Sequence, residues 1–390
     1  MRISDRLARL APSATLVMAS RAAALRSQGI DVIAFAAGQP DFDTPQHIKQ
    51  AACDALAAGD TKYPSPVSGV PALREAACAY LKQYGGVEYD AGEICVAVGA
   101  KDALFLAFAS LVNPGDEVLI PAPYWVSYPD QVGLMGGTPV FVHPRDGGFK
   151  VSGADIRSAI TPRTRLLVLN SPSNPSGAVY TRGELEEIAA AIRDTDVCVI
   201  SDEIYNRLIY TDEPYVSFAS LPEMRERTLT INGMSKSFAM TGWRLGFAAG
   251  PKDVIQAMAR LQGQSTSGPA SFVQTASAAA LRGDQTCVDE MRAAYRRRGL
   301  LMSRGLDALP GVRCGEPQGA FYCFPDVSGT FEMLGVRDAD GFAEALLDRA
   351  HVAAVSGVAF GSPTHVRFSY ATSEEQIRAG LERMAKLLGG

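Results

Sequence analysis

From about residue 90 to residue 250 the chain alternates short apolar runs with stretches of helical period. Ile94-Cys95-Val96-Ala97-Val98 stops at Gly99, and a helix-period segment from Asp102 to Leu111 follows. Glu117-Val118-Leu119-Ile120 stops at Pro121-Ala122-Pro123; Pro139-Val140-Phe141-Val142 and Arg165-Leu166-Leu167-Val168-Leu169 come next. A helical pattern over Gly183 to Ile192 leads into Val197-Cys198-Val199-Ile200-Ser201-Asp202, and runs near Leu229 and Leu245 complete seven. Strands apolar on both faces and separated by helices predict a mainly parallel seven-stranded sheet covered by helices, an α/β fold. The flanks read differently. Residues 285–390 hold a basic helix (Met291 to Leu306), mixed strands and a final helix from Ser373 to Leu388. Together with residues 1–45 they predict a smaller α+β domain beside a large domain spanning 46–284.

At 390 residues, 47% hydrophobic and 20% charged, the chain can bury a large core. A net charge of −5 gives no electrostatic ground for a nucleic-acid or anionic-membrane partner. No apolar run reaches membrane-spanning length, and the N-terminus lacks the apolar stretch of a signal peptide, so a cytoplasmic protein is expected. The seven cysteines are scattered without a C-x-x-C pair, which fits free thiols in a reducing compartment. The four histidines are isolated, and no metal is expected.

The chemistry centres on Lys236, in Gly233-Met234-Ser235-Lys236-Ser237, with Arg244 eight residues on. A Lys between hydroxyls is poor core material, and its amine can form a Schiff base with an aldehyde cofactor. Ser235 and Arg244 could hold a phosphate, Arg as a rigid fork. Pyridoxal phosphate has both groups. Asp202 closes one apolar run, Asn174 follows another, and Lys236 follows a third, so all three fall beyond strand carboxyl ends, where open parallel sheets bind ligands. A buried Asp202 could keep a pyridinium nitrogen protonated, with Tyr205 and Asn174 bonding the ring oxygen. Gly99-Ala100-Lys101 opens a helix and offers a phosphate seat; Trp125 could stack on a planar ring. Arg367 lies in the alternating strand His365-Val366-Arg367-Phe368-Ser369 and could clamp a carboxylate. Taken singly, each has a blander reading. Asp202 suits a helix N-cap, Asn174 a turn before Pro, Trp125 the core, Arg367 an exposed strand and Lys236 a solvated turn.

As a set the residues resemble fold-type I pyridoxal-phosphate aminotransferases, and within them the bacterial aspartate aminotransferases of class I. The likeness runs nearly end to end through Pro12-Ser13-Ala14-Thr15, Ala37-Gly38-Gln39-Pro40-Asp41-Phe42, Thr61-Lys62-Tyr63, Pro123-Tyr124-Trp125, Ser173-Asn174-Pro175, Ser201-Asp202-Glu203-Ile204-Tyr205, Ser235-Lys236 and Arg367-Phe368-Ser369-Tyr370. The resemblance implies that Lys236 carries pyridoxal 5'-phosphate and shuttles the proton, and that Asp202 pairs with the ring nitrogen. It gives Tyr205 and Asn174 to the ring oxygen, Trp125 to the ring face, and Ser235, Arg244 and the amides of Ala100 and Lys101 to the phosphate. Tyr63 matches a tyrosine that reaches the phosphate of the other subunit, implying a homodimer with shared sites. Gly38 and Arg367 match the α-carboxylate positions, and Lys101 with Ser13 those for a distal carboxylate. Gln39 stands where the family leads one to expect Glu.

The expectation is therefore an aminotransferase moving an amino group between aspartate and 2-oxoglutarate. The alternatives are a prephenate, aromatic or alanine-type aminotransferase, and a β-elimination lyase on the same fold. A regulatory domain without catalysis would need a DNA-binding segment for which the sequence leaves no room ahead of the likeness.

Overall fold

The structure, a computed structural model, describes residues 3–7, 10 and 14–389. Strand β1 (Ile33–Ala34) lies outside the main sheet, which holds the next seven: β2 (Ile94–Ala97), β3 (Glu117–Pro121), β4 (Thr138–Val142), β5 (Thr164–Asn170), β6 (Cys198–Asp202), β7 (Thr228–Gly233) and β8 (Gly246–Ala249). Their order is β2-β8-β7-β6-β5-β3-β4. The pairs from β4 through β7 are parallel, as the apolar runs predict. The eighth strand departs: β8 runs antiparallel to both β2 and β7. An antiparallel neighbour needs no crossover helix, so residues 234–245 connect β7 to β8 as a loop.

The helices come in two groups. Through the first two-thirds of the chain they are α1 (Ala14–Ser27), α2 (Gln46–Ala57), α3 (Pro71–Gly85), α4 (Ala100–Leu111), α5 (Ser127–Leu134), α6 (Gly153–Ala159), α7 (Arg182–Ile192), α8 (Lys252–Gly263) and α9 (Ser271–Arg282). The remainder are α10 (Thr286–Asp307), α11 (Phe331–Leu334), α12 (Ala339–Ala350) and α13 (Glu374–Leu387). Alternate residues of one strand serve opposite faces. Leu166 and Val168 of β5 and Ile200 of β6 pack with α4, α5 and α8. Leu167, Leu169 and Val199 pack with α6 and α7 on the other side. Helix α7 shows the local logic: Thr181 and Glu184 form a capping box, and Leu185, Ile188, Ala189 and Ile192 make one buried stripe. Helix α4 begins differently, at Ala100 after Gly99, with no side-chain cap, so its first N–H groups stay open.

A second layer joins the two ends of the chain. Strand β1 pairs in parallel with β10 (Val352–Ala353), while β11 (Val355–Ser356), β12 (Val366–Ser369) and β9 (Tyr322–Cys323) form an antiparallel sheet ordered β11-β12-β9. Phe35, fully buried, packs with Tyr295 of α10, Leu346 of α12, Phe368 and Ile377 of α13. Its ring lies 6.1 Å from Phe368, and its carbonyl accepts from the Ser369 N–H at 2.8 Å. Among the described residues no helix is long and apolar enough to cross a membrane.

Because Phe35 welds the N-terminal segment to the C-terminal sheet, Phe35→Ala should lower unfolding free energy by about 3–5 kcal/mol, the usual loss for a buried ring. Urea unfolding checks this; a loss under about 1 kcal/mol would show that the seam lies outside the cooperative core.

Candidate active site

Parallel strands align their carboxyl ends, and here Asn170 of β5 pairs in register with Asp202 of β6, which pairs with Ile231 of β7. Asp202 is buried, and no helix follows it; residues 204–207 form a turn that carries Tyr205 inward. One carboxylate oxygen accepts from the Tyr128 hydroxyl at 2.7 Å, and the other from the Ile204 N–H at 3.3 Å. Burial pushes the Asp202 carboxyl up to about 6, against the pull of Tyr128, the Ile204 amide and Lys236.

A chain of side chains leads away from Asp202. Asn170 donates to the Asp202 carbonyl at 3.0 Å and accepts from the Asn174 N–H at 2.8 Å. The Asn174 side-chain oxygen accepts from Arg367 Nη1 at 2.9 Å, so Asn174 is more than a turn residue. Arg367 is not an exposed strand residue: it is 1% exposed. Its Nη2 donates to the Ala36 carbonyl at 3.0 Å, its Nε is buried without a hydrogen-bond partner, and its guanidinium lies 4.6 Å from the Tyr322 ring. Among the described residues it has no carboxylate partner, so it could serve as a seat for an anion.

Lys236 lies between this seat and a second one. Its Nζ donates to the Gly38 carbonyl at 2.6 Å, close to the rings of Tyr205 and Phe321. Burial, then the cations Arg367 and Arg244, pull the amine down to about 8. It is therefore within reach of the neutral, nucleophilic form near physiological pH. The second seat is the uncapped start of α4, at Ala100 and Lys101, with buried Ser235 and exposed Arg244. Arg244 takes a left-handed backbone (φ 54°) and donates to the Thr241 carbonyl at 2.9 Å. Gly99 has a left-handed backbone (φ +87°) that disfavours a side chain, and a Cβ there would also displace the Arg244 guanidinium, 2.7 Å away at Nη2. Helix dipole, open amides and guanidinium together suit a phosphate.

Trp125 stands just ahead of α5, half-buried rather than in the core, edge-on to Tyr128 at 5.3 Å. The Lys101 ammonium lies 4.9 Å from its ring centre. Tyr63 is 88% exposed, on an open groove of about 550 Å³ shared with Thr266, Pro269 and Phe272, apart from the residues around Lys236. Ser13 lies outside the described residues. Sequence reasoning passed over Tyr128, Asn170 and Tyr322. Tyr128 follows Trp125 by three residues and Asn170 directly follows the Arg165 to Leu169 run, but neither had a role assigned; Tyr322 carried no signal, and its hydroxyl meets that of Tyr205 at 2.8 Å.

The model of the class I and II aminotransferases matches residues 30–384. The chain belongs to this family. An aspartate aminotransferase of Geobacillus stearothermophilus is 46% identical over 390 residues, spanning 100% of this chain and 99% of that one. An aspartate/prephenate aminotransferase of Thermus thermophilus is 46% identical over 391 residues, 99% of each. The solved structure of Thermus thermophilus aspartate aminotransferase with maleate superposes with a TM-score of 0.94 at 45% identity, covering 100% of both chains. This aminotransferase thus has the fold-type I α/β architecture expected from its strand pattern.

The Asp202 carboxyl of the aminotransferase gives a pH prediction for the protein without ligand. A carboxyl raised on folding binds a proton in the native state that the unfolded chain has released, so it favours the fold at low pH and loses that effect as pH rises through about 6. Relative to Asp202→Asn, the wild type should lose stability between about pH 4 and 7 in urea unfolding. The opposite trend would mean that Tyr128 and Lys236 outweigh desolvation.

Proposed function

We propose that this aminotransferase moves the amino group between L-aspartate and 2-oxoglutarate, yielding oxaloacetate and L-glutamate, with pyridoxal 5'-phosphate as cofactor. One observation carries the reading: the Lys236 amine, 2.6 Å from the Gly38 carbonyl, lies within the field of the buried Asp202 carboxylate and of two cations, Arg367 and the Arg244 that sits at the open α4 start. That donor set fits a flat aromatic aldehyde bearing a phosphate and a basic ring nitrogen. When bound, the cofactor supplies an electron-withdrawing ring. The protein does the rest. Lys236 removes the substrate Cα proton and returns it on the far side of the reaction, a task suited to an amine of pKa near neutrality. Asp202 keeps the ring nitrogen positive, and Tyr205 and Asn174 donate to the ring oxygen. Trp125 covers one ring face. Ser235, Arg244 and the amides of Ala100 and Lys101 hold the phosphate, joined by Tyr63 of the partner subunit in a homodimer with shared sites. The exposure of Tyr63 supports that assembly.

Gly38 and Arg367 hold the α-carboxylate, with Trp125 and Asn174 lining the same space. Lys101, backed by Ser13, takes the distal carboxylate. The chain divides into a large domain over 46–284 and a small one from 1–45 and 285–390; helices α2 and α10 begin at Gln46 and Thr286. Seven free thiols favour the cytoplasm. Prephenate is a second amino acceptor to consider, since relatives at 44–46% identity carry it in their names.

Two experiments test this. Borohydride should fix pyridoxal phosphate to a single peptide containing Lys236, and Lys236→Ala should bind the cofactor loosely without turnover; a labelled peptide elsewhere overturns the assignment. Lys101→Ala should cut kcat/KM for aspartate and glutamate by roughly ten- to a few hundredfold, the loss of a charge-assisted contact of ~1.5–3 kcal/mol. Alanine and phenylalanine should be nearly indifferent. In a panel of amino donors against 2-oxoglutarate, an unchanged aspartate-to-alanine preference in this variant would move prephenate or another substrate ahead.

A further inference from the structure

Tyr322 of β9 is wedged between the two working ends of the site. It is 1% exposed, and its guanidinium neighbour Arg367 lies 4.6 Å from its ring centre. Its hydroxyl is 2.8 Å from the Tyr205 hydroxyl, and the two rings meet edge to face at 5.9 Å. Phe321 packs against both rings, at 5.4 Å from Tyr205 and 4.8 Å from Tyr322, so packing fixes the hydroxyl pair. The same hydroxyl faces Gly38, where a side-chain carbon would lie 3.1 Å from it.

We propose that Tyr322 is a positioning residue: its hydroxyl donates to Tyr205, turning the Tyr205 O–H into the cleft, while its ring holds the Arg367 guanidinium in place. This rests on the reading above, in which Tyr205 serves the ring oxygen of pyridoxal phosphate. A phenol carries one proton. If Tyr205 gave its proton to Tyr322, it would have none left for an acceptor in the cleft. The direction follows from the role of Tyr205: its one proton is needed in the cleft, so the proton in the 2.8 Å contact between the two hydroxyls comes from Tyr322.

The test uses protein loaded with pyridoxal phosphate. Tyr322→Phe removes the hydroxyl and keeps the ring on Arg367. KM for aspartate should stay within about twofold while kcat falls about tenfold, the share of one neutral hydrogen bond. The pH midpoint of the bound cofactor's absorption should rise, by about one unit or less, because a weaker donor leaves the proton beside the ring oxygen held more tightly. Tyr205→Phe should shift the midpoint the same way and further, and the double variant should match Tyr205→Phe. Tyr322→Leu, which also loses the ring, should add a rise in KM. A midpoint that falls or stays put, additive shifts in the double variant, or a KM rise in Tyr322→Phe that accounts for the whole loss each overturns the proposal. Should wild-type protein take up no pyridoxal phosphate, the cofactor reading fails and this proposal with it. Normal uptake with a Tyr322→Phe midpoint equal to wild type sinks this proposal alone.

Discussion

A guanidinium buried to 1% exposure with no carboxylate beside it, among the described residues, is the constraint around which the site is organised. Desolvating a cation is expensive unless polar groups replace water. At Arg367 the replacements are the Asn174 amide oxygen, the Ala36 carbonyl, and the faces of Tyr322 and Phe360. They come from four separate stretches of chain: the segment after β1, the loop after β5, strand β9, and the turn at 357–360. None of these partners is charged. Compensation is therefore partial, and Nε is left unsatisfied.

The same cation reaches Lys236 through the field. A buried amine already disfavours its charged form, and Arg367 and Arg244 disfavour it more, while Asp202 pulls the other way. Two cations outweigh one carboxylate here, so the lysine ends as a weak base rather than a permanent ammonium. Asp202 in turn is kept from neutrality by Tyr128, the Ile204 amide and Lys236, though burial wins overall. The site thus holds opposite charges at the margin of ionisation, which suits groups that must hand protons on.

Much of this was legible from residue order. Strands covered on both faces must be apolar throughout, so β2 to β7 stood out, and Asn174, Asp202 and Lys236 fell at their carboxyl ends without any knowledge of pairing. The direction of β8 was not legible, because an apolar run reads the same whichever way its neighbours run. The opening of α4 at Gly99-Ala100-Lys101 was legible too; the bond that the Asp102 carboxylate of its first turn accepts from the Val98 N–H at 2.9 Å, running backward along the chain, was not. Alternation said which face Arg367 shared, but β12 is buried on both faces, so alternation could not tell exposure. Tyr128 and Tyr322 find their partners 74 and 117 residues away, a separation over which periodicity carries nothing.

The reversal of β8 has a mechanical consequence. Gly233 and Gly246 are paired across adjacent strands, so the loop of 234–245 leaves the sheet and returns to it at one point. Lys236 rides on the outgoing limb and Arg244 on the incoming one, and both limbs are anchored in the rigid sheet. The loop is in effect a caliper: if one molecule is gripped at both jaws, as in the proposed function, the length between its two anchoring groups is selected along with their charge.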